Sequence, residues 1–257
     1  AEYERALKEV NSEVYYFELT EGNDEFYLDF EKLREELKKS YNLVILCNPN
    51  NPTGNFVNRK NFKELLNDIN FSSTNFFIDE AFIDFIRNGE DLSFKHFESD
   101  RVIIIRAFTK FFGIPGLRLG YSICYNKKWV STANNLKEPW TINTFAASCG
   151  EILLNSNKYI EKTYKTLEKE KNRMLNGLKK IENIQVFKSE SNFLLIKLME
   201  ISGTELYNKL LEKGFLIRRC ENFNFLDDSY VRIAIKDKKS NKNFIKAINK
   251  ITKNRNV

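Results

Sequence analysis

Lys110 follows the apolar run Val102–Ala107, with Thr109 beside it and Gly113, Pro115, Gly116 and Arg118 just after. A lysine amine placed there turns nucleophilic if desolvation lowers its pKa; otherwise it is a surface lysine in a turn. Asp79, followed by Glu80, closes a second apolar run, Thr74–Asp79. A carboxylate at the mouth of a sheet either pairs with a cationic ligand atom or caps the next helix. Asn48-Pro49-Asn50-Asn51-Pro52-Thr53-Gly54 follows a third run, Leu43–Cys47. Its two prolines stiffen the loop and keep the residue before each out of the helical region. That rigidity aims the Asn51 amide at a ligand, unless the loop is an ordinary strand-to-helix turn. With His96 as the one histidine, acid–base chemistry has to run through lysine, carboxylate or a cofactor.

The rest of the composition narrows the class. The chain has 257 residues, enough for one large or two modest domains. At 42% hydrophobic and 30% charged residues it is neither disordered nor collagen-like. A net charge of +6, spread along the chain, does not point to nucleic acid. Nor does the basic tail from Lys236 to Arg255, where Phe244, Ile248 and Ile251 make an amphipathic helix with a solvated lysine face. Apolar runs fall far short of the ~20 residues of a membrane span, and no secretory leader opens the chain. Cys47, Cys124, Cys149 and Cys220 contain no CxxC pair and form no convincing metal set with His96. Such scattered thiols read as buried, in a cytoplasmic protein without a metal.

The elements that must position these residues alternate. Strands are predicted at Val14–Leu19, Leu43–Cys47, Thr74–Asp79 and Val102–Ala107, and helices from Asp29 to about Lys39 and over Asn58–Ile69. The alternation implies an α/β fold with a mainly parallel sheet sandwiched by helices and strand ends gathered at one edge. The link from Lys110 to Arg118 is too short for a parallel crossover, so Leu119–Tyr125 runs antiparallel. After Pro139-Trp140 the pattern changes. A long helix is expected over about Lys158–Lys180, then strands near Ile184–Lys188, Phe193–Leu198, Phe215–Arg219 and Tyr230–Ile235. Helices are expected at Thr204–Lys213, stopped by Gly214, and at Asn243–Thr252. This second half reads as a smaller α+β domain.

Asn-Pro-Thr-Gly, then Asp-Glu-Ala, then Thr-Lys with an arginine eight residues past the lysine, in this order, resembles the fold-type I pyridoxal-phosphate enzymes, the class I/II aminotransferase superfamily. The likeness covers essentially the whole chain. It implies a large cofactor-binding domain over 1–150, a small substrate-closing domain over 151–257, and a homodimer. By resemblance Lys110 is the Schiff-base lysine that also moves protons at the substrate Cα. Asp79 faces the pyridine nitrogen, and an anion there keeps the nitrogen protonated so that the ring acts as an electron sink. Asn51 donates to the ring 3-oxygen. Thr109 and Arg118 bind the cofactor phosphate, the arginine fork matching phosphate oxygens. Arg232 resembles the family's substrate-anion arginine and Arg218 a second one for a substrate phosphate, with Asn192 beside Phe193 among the small-domain substrate contacts. A strand arginine can also snorkel from a sheet face.

Two departures stand out. Ala107 replaces the usual Ser or Thr three residues before the lysine, and Phe82 replaces the tyrosine that transaminases use at the ring 3-oxygen. Family members also carry a further N-terminal segment with a glycine-containing phosphate loop and a ring-stacking aromatic, so the resemblance implies that this part of the fold is missing. Within the superfamily, phrases such as Asp79–Phe85, Phe111–Tyr121 and Cys220-Glu221-Asn222-Phe223 look most like the threonine-phosphate decarboxylases of cobalamin synthesis. Histidinol-phosphate aminotransferases share most of the rest. The implied substrate is a small phosphorylated amino acid or amine. A non-catalytic aminotransferase-like sensor domain is the remote alternative.

Overall fold

Backbone hydrogen bonding and side-chain alternation decide the elements of the computed structural model, which describes residues 2–68 and 73–253. In chain order they begin with α1 (Glu2–Glu9), β1 (Thr20–Glu21), β2 (Phe26–Tyr27), α2 (Phe30–Leu37), β3 (Leu43–Cys47), α3 (Arg59–Asn67), β4 (Asn75–Asp79) and α4 (Gly89–Leu92). β5 (Val102–Ala107), α5 (Phe108–Phe111), β6 (Gly120–Cys124), α6 (Lys127–Leu136), α7 (Thr144–Leu154) and α8 (Asn157–Leu178) follow. The chain continues through β7 (Ile184–Val186), β8 (Phe193–Leu198), α9 (Gly203–Leu211), β9 (Arg218–Arg219), β10 (Tyr230–Ala234) and α10 (Lys238–Lys253).

The described part divides into two units. One comprises Leu28–Asn51 and Phe56–Tyr164. Its sheet has the order β3-β4-β5-β6, with β3, β4 and β5 parallel and β6 antiparallel to β5. The short Lys110–Arg118 link leaves no room for a crossover, which is why β6 reverses. Asp29 caps α2 by accepting from the Lys32 amide, and Asn58 caps α3 through the Lys60 amide. Phe62, Leu65 and Leu66 of α3 are buried on one helix face. There Phe62 meets Phe76 edge-on at 5.3 Å and Phe94 at 5.0 Å between ring centroids.

The other unit comprises Ala1–Tyr27, Pro52–Asn55 and Lys165–Val257. Its sheet runs β7-β8-β10-β9, antiparallel throughout. Leu194, Leu195 and Ile196 of β8 are fully buried, as are Leu178, Leu206, Leu210 and Ile248. Gly54, at φ +74°, carries the Pro-rich loop into this unit. A Cβ there would lie 2.1 Å from Ser189 Oγ, so the backbone needs glycine.

Several expectations change. Val14–Leu19 forms no strand; the ladder in this region is the two-residue pairing of β1 with β2. Side-chain alternation alone supplies no hydrogen-bond partner, and a strand needs one. The strand expected at Phe215–Arg219 shrinks to Arg218–Arg219, since only these residues pair with β10. Helices α6 and α7 lie where no element was expected. Ile69 and Arg255, at the ends of two expected segments, lie outside the described residues. Among the described residues no helix is long and apolar enough to cross a membrane, and no cluster of three His, Cys, Asp or Glu could hold a metal ion.

Candidate active site

Parallel pairing of β3, β4 and β5 brings their C-terminal ends to one sheet edge, with Cys47 opposite Asp79 and Asp79 opposite Ile105. Because β6 is antiparallel, its start lies at that edge too, with Gly120 opposite Ala107. Four segments therefore leave the sheet side by side: the loop holding Asn51, the turn from Asp79 to Phe82, α5 with Thr109 and Lys110, and the approach to β6 with Arg118. Open α/β sheets bind ligands at such an edge.

Local bonds hold each segment. The Asn48 amide donates to the Asp79 carbonyl at 2.8 Å. The Asn48 side chain donates to the Val57 carbonyl at 3.1 Å and accepts from the Val57 amide at 2.7 Å, pinning the start of the Asn51 loop. The Asn48–Pro49 bond is cis. Asp79 is half-buried, and its Oδ1 accepts from the Ala81 amide at 2.8 Å. Lys110 is exposed in α5, its Nζ 6.0 Å from the centre of the Phe82 ring. Thr109 is buried beside it. Ala107 occupies the N-cap of α5 and supplies no side-chain bond, since its methyl has no acceptor. Arg118 is exposed, has φ +53°, and donates from Nη1 to the Pro115 carbonyl at 3.2 Å. Gly120 admits the close strand pairing, because a Cβ there would stand 2.7 Å from the Arg106 carbonyl.

Behind this edge lies a charged cluster that motif reading missed. The Glu80 side chain is fully buried and accepts from Ser93 Oγ at 2.7 Å, the Phe94 amide at 2.7 Å and Arg106 Nε at 3.0 Å. Arg106, 3% exposed, also donates from Nη1 to Glu90 at 2.7 Å and lies 3.5 Å from Asp84. Burial, with the Glu80 charge adding to it, raises the Asp84 pKa, while Arg106 pulls the other way. Burial likewise pushes up the Tyr121 phenol, opposite Arg106 across the β5–β6 pair. One sequence signal pointed here: a charged residue within Val-Ile-Ile-Ile-Arg-Ala has to find buried partners.

The remaining predicted residues lie in the antiparallel unit. Arg232 of β10 and Arg218 of β9 are direct cross-strand partners. The Arg232 guanidinium stands 4.9 Å over the Phe193 ring. Burial and the Arg218 charge lower the Arg232 pKa, with Cys220 opposing. Arg218 donates to Asn222 Oδ1 at 2.8 Å and lies 5.6 Å over Phe223. Asn192 accepts the Ile235 amide through its carbonyl at 2.9 Å, and its Oδ1 accepts from Ser191 Oγ at 3.4 Å. Burial pushes the neighbouring Cys220 thiol up to about 11.

Comparison with known proteins gives the chain its relatives. The chain is 37% identical over 254 residues to a protein provisionally named threonine-phosphate decarboxylase in Caldanaerobacter subterraneus subsp. tengcongensis, covering 96% of this chain and 67% of that one. It is 30% identical over 241 residues to the histidinol-phosphate aminotransferase of Methanocaldococcus jannaschii, covering 94% and 63%. Among solved structures, the histidinol-phosphate aminotransferase from Clostridium acetobutylicum superposes with a TM-score of 0.92 at 38% identity, over 99% of this chain and 75% of that one. The chain thus spans roughly two thirds of the length of these relatives. The family model for aminotransferase class I and II matches residues 1–248, and the chain belongs to that family.

Proposed function

We propose that this chain carries the reactive residues of a pyridoxal-phosphate enzyme acting on a small phosphorylated amino acid or amine, with decarboxylation of threonine phosphate as the leading reaction. One observation supports it above the rest: the sheet edge collects a primary amine, a carboxylate, an amide, a hydroxyl and a guanidinium on four adjacent segments. That donor set fits an aldehyde whose ring carries a basic nitrogen, a phenolic oxygen and a phosphate. When bound, pyridoxal phosphate supplies an electron sink for negative charge developing at the substrate Cα.

Within this reading Lys110 would hold the aldehyde carbon and, once displaced by the substrate amine, would give a proton to Cα after carbon dioxide leaves, or would move a proton from Cα in the transamination reading. Asp79 holds the proton on the ring nitrogen. Asn51 donates to the ring 3-oxygen, while Thr109 and Arg118 hold the phosphate. Phe82 lines the same place without a hydroxyl, so one donor of the transaminase pattern is absent, which favours decarboxylation. Arg232 and Arg218 receive two anionic groups of the substrate, with Asn192 beside them. Like charges directly opposite on a strand pair are unfavourable, and a dianion between them relieves that cost. The cofactor-binding role falls within residues 1–150 and the substrate-closing role within 151–257 of a homodimer, although Ala1–Tyr27 and Pro52–Asn55 group with the second unit and the first runs on to Tyr164. Transamination of histidinol phosphate with 2-oxoglutarate is the second reading, favoured by the likeness to the Clostridium acetobutylicum structure.

The test is borohydride reduction of the full-length protein with pyridoxal phosphate, followed by peptide mass spectrometry. The label should sit on Lys110, and Lys110→Ala should lose both the label and the visible absorbance band. A band that persists in the variant would show that another lysine serves. Carbon dioxide released from threonine phosphate, with no glutamate formed from histidinol phosphate and 2-oxoglutarate, would decide for the decarboxylase.

A further inference from the structure

We propose that Glu80 and Arg106 are positioning residues whose buried ion pair, braced by Ser93 and the Phe94 amide, sets where Asp79 and Lys110 meet the cofactor; the proposal rests on the pyridoxal-phosphate reading above. Glu80 directly follows Asp79, and Arg106 precedes Lys110 by four residues. The pair thus joins the ends of the two strands from which the carboxylate and the amine emerge. Its Nε–Oε2 contact is 3.0 Å between side chains 3% and 0% exposed. Beside it, the Glu80 amide donates to the Ile105 carbonyl at 2.8 Å, so backbone and side chain of one residue both hold β4 to β5.

Turning the Asp79–Glu80 peptide would break that bond together with the Glu80 carboxylate's bonds to Ser93, Phe94 and Arg106. The Asp79 carboxylate, tied to the Ala81 amide on the far side of Glu80, is confined by the same bonds. Stability alone is a weak reason for such a pair. Apolar residues of similar volume often serve a core as well or better, because two charges must be stripped of water. What an apolar pair lacks is direction: each charge-assisted bond fixes an angle as well as a distance. The pair also sits at the strand ends, where orientation matters to the reacting groups, and not at mid-sheet. Supporting bonds of this kind hold reactive groups in their working geometry.

The experiment compares full-length wild type with Glu80→Gln, the milder Ser93→Ala, and Glu170→Gln as a control. Glu170 is a buried carboxylate of the other unit, bonded to Asn241 at 3.1 Å and Arg173 at 2.9 Å. Two quantities are read: the Kd for pyridoxal phosphate, and the 15N resonance of the labelled ring nitrogen, which reports whether Asp79 keeps it protonated. Glu80→Gln should bind about tenfold more weakly or worse, the scale on which such supporting partners act. Its resonance should move toward the unprotonated form, Ser93→Ala should move the same way by less, and the control should change neither. If Glu80→Gln does not fold, Ser93→Ala decides. Wild-type affinity and resonance in the folded Glu80 and Ser93 variants would overturn the proposal, as would an equal change in the control. A wild type that takes up no pyridoxal phosphate would overturn the functional reading, and this inference with it.

Discussion

Arg106 and Arg232 each interrupt an apolar strand, and they meet different surroundings. Arg106, in the mainly parallel sheet, is ringed by Glu80, Asp84 and Glu90. Arg232, in the antiparallel sheet, lies over an aromatic ring and directly opposite a second arginine. Burying a guanidinium is costly in both places. In the first the protein supplies the counter-charge itself, which makes the arginine part of the scaffold. In the second a like charge stands directly across the strand pair, which suits the substrate-anion role proposed for Arg232. One residue type in one kind of sequence context can therefore meet counter-charges or a like charge, and the fold decides which.

The largest effect that would test this contrast is on stability. Arg106→Leu leaves the Glu80 carboxylate buried without its cation and should cost about 3–5 kcal/mol, read as a lower urea midpoint. A cost under about 1 kcal/mol would break the comparison, since Arg106 would then matter no more than a surface charge. Arg232→Leu should behave in the opposite way. Its unfolding free energy should stay within about 1 kcal/mol of wild type, because an apolar side chain relieves the facing charges. Its affinity for a phosphorylated substrate should fall by about 2 kcal/mol, near 30-fold in Kd by calorimetry.

A third effect, confined to alkaline pH, concerns Cys220, beside the two arginines. Burial raises its thiol to about 11, above the ordinary thiol range. The unfolded chain therefore loses this proton first as pH rises, and stability should fall from about pH 8.5. By pH 11 the loss attributable to this thiol should be nearly complete. Unfolding free energies at pH 7 and 10 should differ less in Cys220→Ala than in wild type. A thiol titrating below 9 in iodoacetamide kinetics would mean that the arginines, rather than burial, govern this corner.

Legibility differed by region for physical reasons. The strands Leu43–Cys47 and Val102–Ala107 were readable to the residue because their apolar runs have clear polar ends. The same is true of Phe193–Leu198. The antiparallel turn of β6 followed from the length of the preceding link. Val14–Leu19 misled because alternation describes a surface without supplying a partner strand. Helix α6 escaped because Lys127–Leu136 buries no residue within the described chain, leaving no clear apolar stripe to read. The residues at the sheet edge were legible through the order of their motifs, whereas the Glu80–Arg106 pair, 26 positions apart, carried no motif.

Composition, strand ends and motif order were enough to point to an α/β chain of this family and to put Lys110, Asp79 and Asn51 just past strand ends, because those properties are local along the backbone. Only the folded structure could decide which charges neutralise one another. Glu80 reaches Arg106, Ser93 and Phe94 across the sheet, and Arg218 comes to face Arg232, because strand register sets those distances. The strength of an electrostatic contact depends on distance and burial, which only the packed fold supplies.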